Sequence, residues 1–324
     1  MSKAMLTAAF VLATVSTMAA AQEWPSRAIT LIVPFTAGGG IDASARLQAA
    51  TLSEVLGQTV VVENIGAAGG TVGSARVAKA APDGYTLLIG NTGTHAYSQA
   101  LYKKLPYDAA KDFEPVGLVT ESPRILLARK DLPVNNLKEF IAYAKANQGK
   151  MQYGSAGVGS GTHLPCALLN MTMGVDITHV PYRGAGAVMQ DLVGGRIDYM
   201  CDTIQTGAVQ ANSGTVKGIA VMSPKRVPVV SGLPTTGEQG LAGAEATVWN
   251  AYFFPKGTPQ PIVRKMNKAL GDMLARADFR EKSEALGLAL VPSEQRSPEY
   301  LAKYLGEEIE RWGKVIRAGG ISVD

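Results

Sequence analysis

The chain has 324 residues, 46% hydrophobic and 18% charged, with a formal net charge of +4. That length suggests about two domains, and the apolar content supplies a sizeable core, which excludes a disordered chain. So small a positive charge, with no basic patch interleaved with aromatics, does not argue for nucleic acid.

Residues 1–21 read as a secretory signal peptide: Lys3, an apolar run Met5 to Val15, then Ala19-Ala20-Ala21 as an Ala-x-Ala cleavage site before Gln22. The run is short for a membrane span, and no later stretch is long and apolar enough to cross a bilayer. A mature protein starting near Gln22 in the periplasm or cell exterior is expected.

The organising stretch is VPFTAGGGIDASAR, Val33 to Arg46. Ile29–Val33 predicts a buried strand, Gly38, Gly39 and Gly40 a turn, and Ile41–Leu56 an amphipathic helix that stops at Gly57. A strand, a glycine turn and a helix start make a place for an anion, because the first helical N–H groups lack intrahelical partners and carry partial positive charge. Ile41 and Asp42 stand where a P-loop needs Lys-Ser/Thr, so no triphosphate is expected. Two readings stay open: a plain βα turn, or a backbone cradle for a small anion such as a carboxylate. In the second, Gly39 is the point of closest approach, where a side chain would fill the ligand's space or oppose a positive φ.

A strand at Thr59–Glu63, a second glycine turn at Asn64–Gly70 and a helix at Thr71–Ala80 follow. A Pro82-Asp83-Gly84 turn leads to a strand at Tyr85–Ile89, which ends in Asn91-Thr92-Gly93-Thr94. Three strands thus end in small polar loops, and open parallel sheets bind ligands outside those ends. Phe113–Thr120 reads as a strand leaving the first domain, separated by Ser122-Pro123 from an apolar run at Ile125–Ala128. Asn136 and Glu139 resemble a capping box opening a helix at Leu137–Asn147. Strand Met151–Gly154 ends in the loop Ser155–His163, and a helix begins at His163 or Leu164. Neither Ser155 nor Ser160 has the flanking glycines of a hydrolase elbow, so capping or hydroxyl donation is expected of both.

Strand Ile177–Val180, a turn through Arg183 and Gly184, helix Ala187–Val193 and strand Ile197–Cys201 repeat the rhythm. Arg183 could fork a carboxylate or stand as a solvated surface arginine. Asp202 could orient donors or select a cationic or hydroxyl group, and Asp42 could do the same or cap its helix against Arg46. A strand at Val216–Val221, a turn-rich excursion Pro224–Gly243, a return strand Thr247–Phe254 and helices at Ile262–Ala275 and Pro298–Arg317 complete the chain. In the last, Leu301, Leu305, Ile309, Trp312 and Ile316 form a core stripe. Cys166 and Cys201 could pair in an oxidising compartment or stay as separate buried thiols. His95, His163 and His179 lack metal-ligand spacing and read as turn or loop hydrogen-bonders. If Phe113–Thr120 and Thr247–Phe254 both cross between lobes, a cleft suited to hinge closure lies between them.

PFTAGGGIDASAR (34–46), VVEN with GAAGG (61–70), PDGYTLLIG (82–90), LPYDAAKDFEPVGLV (105–119), YGSAGVGSGTHL (153–164), VPYRGAGAVMQDLVGGRID (180–198) and PKGTP (255–259), in this order after a signal peptide, resemble the periplasmic substrate-binding proteins of tripartite tricarboxylate transporters, the Bug family. The resemblance implies an α/β fold of two Rossmann-like lobes joined by two crossing strands, of periplasmic-binding-protein type, with residues 22–120 plus 249–324 as first lobe and 121–248 as second. It implies a small carboxylate ligand in the interlobe cleft, membrane permease subunits as partners, a monomer, and no reaction, cofactor, metal or nucleic acid. Site residues carried over are Phe35, Thr36, Ala37, Gly39 and Asp42 in the first lobe, with Thr92 after the third strand. From the second lobe come Ser155, Ser160, Thr162 and His163, with Tyr182, Arg183, Gly184 and Asp202 on the same side. Two helix N-termini facing across a cleft would suit a ligand with a carboxylate at each end. The competing expectations are an exported hydrolase or dehydrogenase that uses the glycine loops as an oxyanion or phosphate cradle, and a ligand-binding sensor for a signalling receptor. No nucleophile–base pair or complete cofactor motif supports the enzyme.

Overall fold

The structure is a computed structural model that describes residues 23–318 and 320–322, so the expected signal peptide lies outside the described residues. The first elements are β1 (Ile29–Val33), α1 (Gly40–Leu56), β2 (Val60–Asn64), α2 (Thr71–Ala78) and β3 (Thr86–Asn91). A π-helical turn, Gly93–Tyr97, then runs into α3 (Ser98–Leu101). After β4 (Phe113–Ala128) come α4 (Leu137–Asn147), β5 (Gln152–Ser155), α5 (His163–Met173), β6 (Thr178–Pro181), α6 (Ala185–Val193), β7 (Tyr199–Thr203), α7 (Ile204–Asn212) and β8 (Lys217–Met222). The chain returns through β9 (Thr247–Pro255) and closes with α8 (Gln260–Ala275), α9 (Ala277–Ala285), β10 (Ala289–Leu290) and α10 (Pro298–Ala318).

The sheet order is β2-β1-β3-β9-β4-β7-β5-β6, with β8 and β10 also pairing with β4. β1 pairs in parallel with β2 and β3, and β5 with β6 and β7, whereas β9 runs antiparallel to both β3 and β4. The fold is α/β, two Rossmann-like lobes joined by β4 and β9 as crossing strands.

The strand expected to end at Thr120 is instead continuous with Ile125–Ala128 as one 16-residue strand, β4. Pro123 cannot donate to a ladder, which disfavours it inside a strand. It is tolerated because it sits where partners change: Pro123 is the last residue paired with β9, opposite Thr247, and Arg124 the first paired with β7 and β8. Four-residue α3 and two-residue β10 are too short to show a period, and α7 and α9 are further elements the sequence reading does not contain.

Side-chain alternation sends Ile29, Leu31 and Val33 to one face of the first half-sheet, against Ala45, Ala49 and Leu52 of α1 and Met266 and Leu270 of α8. Ile32, Leu88 and Phe253 face the other way, toward Leu301, Leu305, Trp312 and Ile316 of α10, the stripe expected from its period. The second half-sheet is covered by α4 and α5 on one face and α6 and α7 on the other. At the start of α4 the Glu139 N–H donates to Asn136 Oδ1 at 2.9 Å, and the Glu139 carboxylate accepts from the Asn135 N–H at 2.7 Å. Cys166 and Cys201 are joined, with Cα atoms 5.4 Å apart, which ties α5 to β7.

Candidate ligand-binding site

A cavity lies at the carboxyl ends of β1, β3, β5 and β7. Phe35, Thr36, Gly39, Gly40, Ile41, Ser44 and Asn91 line it from the first half-sheet. Ala156, Ser160, Gly161, Thr162, Ala185, Thr203 and Gln205 line it from the second, and Ser122, Arg124 and Asn250 from the crossing strands. Its water-accessible volume is small, about 40 Å³. A compact ligand fits such a site better than an extended one.

The α1 loop is set by Asp42. Its Oδ2 accepts from the Gly38 N–H at 3.0 Å and from Arg46 Nε at 3.1 Å, and its Oδ1 from Asn64 Nδ2 at 2.9 Å. Burial pushes this carboxyl up, but Arg46, Gly38 and Asn64 together hold it below the usual carboxylate range. Asp42 therefore shapes the loop and does not line the cavity. Gly39 lines the cavity, but a positive φ is not the reason for glycine there: its φ is −88°, ordinary extended backbone, and an added Cβ would lie 3.7 Å from Ala185 Cβ. The left-handed residue is Gly38, at φ +87°, and the tight approach is at Gly40, where a Cβ would overlap the Thr203 side chain.

The α5 loop is held in the same way. Thr162 Oγ1 accepts from the Ala156 N–H at 2.8 Å and lies 3.1 Å from Ser160 Oγ, both hydroxyls being on the cavity wall. His163 Nδ1 accepts from the Gly159 N–H at 3.1 Å, and its ring stacks on His179 with centroids 4.0 Å apart. Burial, and for His163 the neighbouring His179, depresses the pKa of His163 to about 3 and of His179 to about 4, so both are neutral near pH 7. Ser155 Oγ lies 2.7 Å from His179 Nε2, the spacing of a nucleophile and its base, yet Ser155 has no exposed surface and does not line the cavity.

Thr92 is buried behind the wall, its Oγ1 accepting from the Trp249 N–H at 3.0 Å. Ala37, Arg183, Gly184 and Asp202 line a second opening beside α6 and α7, together with Thr36 and Gly38. Tyr182 stands next to it, its hydroxyl donating to Asp191 Oδ2 at 2.8 Å. Asp202 Oδ2 accepts from the Thr206 hydroxyl at the start of α7. Burial pushes the Asp202 carboxyl up to about 6 against the pull of Thr206, the Thr203 N–H and Arg124. The structure thus brings Phe35, Thr36, Gly39, Ser160 and Thr162 together on one cavity. Asp42, Thr92, Ser155 and His163 sit in the supporting layer.

Sequence reasoning passed over the residues from the middle of the crossing strands. Arg124 is only 3% exposed, and its Nε and Nη1 have no hydrogen-bond partner. Burial lowers its pKa to about 10, so it keeps its charge near pH 7. Asn250 sits inside the apolar run Thr247–Phe254 and donates to Thr120 Oγ1 at 3.1 Å. A polar residue interrupting a buried strand was the available signal in both cases.

Residues 44–321 match the model of the tripartite tricarboxylate transporter family receptor. The chain belongs to that family. It is 40% identical over 301 residues to an Agrobacterium vitis protein encoded in the TAR-I ttuE-ttuC' intergenic region, covering 93% of this chain and 87% of that one. Among solved structures it resembles the periplasmic binding protein BugD, with TM-score 0.89, 39% identity, and 92% of this chain and 99% of that one covered. It also resembles MatC of Rhodopseudomonas palustris, solved with malate bound, with TM-score 0.87, 43% identity, and 90% and 100% covered. A family receptor is a solute-binding protein that works with a membrane transporter. The comparisons support this expectation and not the exported hydrolase or dehydrogenase.

Proposed function

We propose that this protein captures a small organic carboxylate in the periplasm, without transforming it, and delivers it as a monomer to the permease subunits of a tripartite transporter. The carrying observation is that two loop–helix junctions, Thr36 to Ile41 before α1 and Ser160 to Thr162 before α5, face one cavity. The start of α1 offers backbone N–H groups and a partial positive charge, which suits an anion. The α5 loop contributes the Ser160 and Thr162 hydroxyls instead, because the His163 and Leu164 N–H groups bond Ser160 O and Pro165 has none. In this reading the mature chain begins near Gln22, and the lobes comprise residues 22–120 plus 249–324 and 121–248. Phe35, Thr36, Gly39, Ser160 and Thr162 touch the ligand. Asp42, Thr92, Ser155, His163 and Asp202 hold the loops, and Ala37, Tyr182, Arg183 and Gly184 form the mouth. Malate in MatC agrees with the ligand class.

Native mass spectrometry of protein purified from the periplasm, followed by a thermal-shift screen, tests the reading. A co-purified carboxylate and stabilisation by dicarboxylates are expected, about 2.7 kcal/mol at 100 times Kd. Stabilisation only by sugars or cations would overturn it, as would undiminished carboxylate uptake in a strain lacking the protein and its homologues.

A further inference from the structure

We propose that Arg124 is the charged subsite of the cavity and selects ligands that carry a second carboxylate; this rests on the carboxylate reading above. Arg124 lies on β4 where its partners change, opposite Thr203 of β7. It reaches the cavity among Ser122, Gln205 and Asn250. The guanidinium carries five donors in a fixed fork and no acceptor. Nε and Nη1 are buried and bonded to nothing, and Gln205 Nε2 on the same wall is equally unpartnered. These are the donors that a carboxylate would satisfy.

Asp202 does not serve as the partner. It is opposite Ile125 in the same register, one residue along from the Arg124–Thr203 pair, and successive strand residues point to opposite faces. Its Oδ2 is taken by Thr206, its Oδ1 is unpartnered, and it attracts Arg124 only at longer range: among the described residues no ion pair within 4.0 Å involves Arg124. A buried charge without contact partners is destabilising, so a residue whose role was to hold the fold would be expected to have them. Arg124 is also given room: a Cβ at Gly161, just before α5, would lie 2.9 Å from Nη2. One ligand carboxylate at the start of α1 and another at Arg124 describe a short dianion.

Calorimetric titration with chain-matched acids tests this: succinate against butyrate, and adipate against hexanoate, on wild type, Arg124→Gln and Gly161→Ala. Wild type should prefer the diacid of a pair by at least about tenfold, the scale of a charged hydrogen bond. Arg124→Gln should bring the ratio close to one while monoacid affinity stays within about threefold of wild type. Ligand-free Arg124→Gln should unfold at a urea concentration close to that of wild type, because the buried guanidinium makes no hydrogen bond or ion pair through Nε or Nη1 and only a longer-range attraction to Asp202 is lost. Gly161→Ala, which keeps the charge but crowds it, should lower diacid affinity more than monoacid affinity and keeps the test open if Arg124→Gln does not fold. An unchanged ratio in either folded variant would overturn the proposal. So would a destabilised Arg124→Gln that loses both acids in parallel, which marks a structural arginine. If wild type binds none of the four acids, the carboxylate reading itself fails, and this inference with it.

Discussion

Replacing Gly40 by alanine should weaken ligand binding without harming the ligand-free fold. Gly40 is the first residue of α1 and faces Thr203, at the start of α7 across the cleft. A Cβ built on Gly40 would stand 2.7 Å from Thr203 Cβ and 3.0 Å from its Cγ2. Carbon atoms prefer separations of about 3.5–4.0 Å, so the two walls must part by roughly 1 Å. Rotating the threonine cannot relieve this, because Thr203 Cβ is fixed to the backbone. Overpacking of this kind costs about 1–3 kcal/mol. If the lobes open to avoid it, that cost appears as a Kd raised by about 5- to 150-fold. The backbone raises no objection, since alanine is the better helix former by about 0.5–1 kcal/mol in a helix interior. Calorimetry with the tightest-binding wild-type diacid, alongside urea unfolding of ligand-free protein, measures both sides. Thr203→Gly in the Gly40→Ala background should recover most of the loss, because it removes the three atoms nearest the new methyl. A folded Gly40→Ala protein with wild-type affinity would show that α1 and Thr203 do not approach in the bound state, and the closure argument would fall.

Local chemistry made part of this molecule legible in its sequence. β1 and α4 appear at their expected bounds because an apolar run before a glycine turn, and an Asn136–Glu139 cap, are signals complete within a few residues. β4 was split because a proline is evidence against a strand, and only the exchange of partners at Pro123 explains its presence. The same split hid Arg124, which stands between the proline and the apolar run. The loops that line the cavity were readable as loops, but the direction of each polar side chain was not. Asp42, Ser155 and Thr162 satisfy nearby backbone N–H groups, a demand sequence places on any glycine-rich turn, whereas Thr92 accepts from the distant Trp249 N–H of β9. Of these four only Thr162 also reaches the cavity, which only the folded arrangement of the loops reveals. The cysteines behave likewise: spacing left pairing open, and the 5.4 Å approach of their Cα atoms decided it.

Three further outcomes are expected. The Cys166–Cys201 bond spans a separation of 35 residues, so the double alanine variant should lose about 4 kcal/mol by loop-closure entropy. Equal urea midpoints for the variant and oxidised wild type would refute that. Arg183 is exposed at the second opening, so Arg183→Ala should change Kd by less than about twofold at physiological salt; a tenfold loss would move the ligand to that opening. Acid should destabilise the ligand-free protein. Burial holds His95, His163 and His179 at about 3, 3 and 4 in the fold, against about 6.5 for an ordinary imidazole. The unfolded chain therefore binds more protons, and this stabilisation is complete above pH 6.5 and lost as pH falls toward 4. Asp202 opposes it: raised by burial from 3.8 to about 6, it favours the fold at low pH and loses that contribution as pH rises through 6. Three groups outweigh one, so urea midpoints should fall between pH 6.5 and 4.5. His179→Gln should make that fall shallower, whereas Asp202→Asn, which removes the opposing group, should make it steeper. Midpoints independent of pH in this window, or a slope that His179→Gln leaves untouched, would show that the stacked histidines are not held neutral behind the α5 loop.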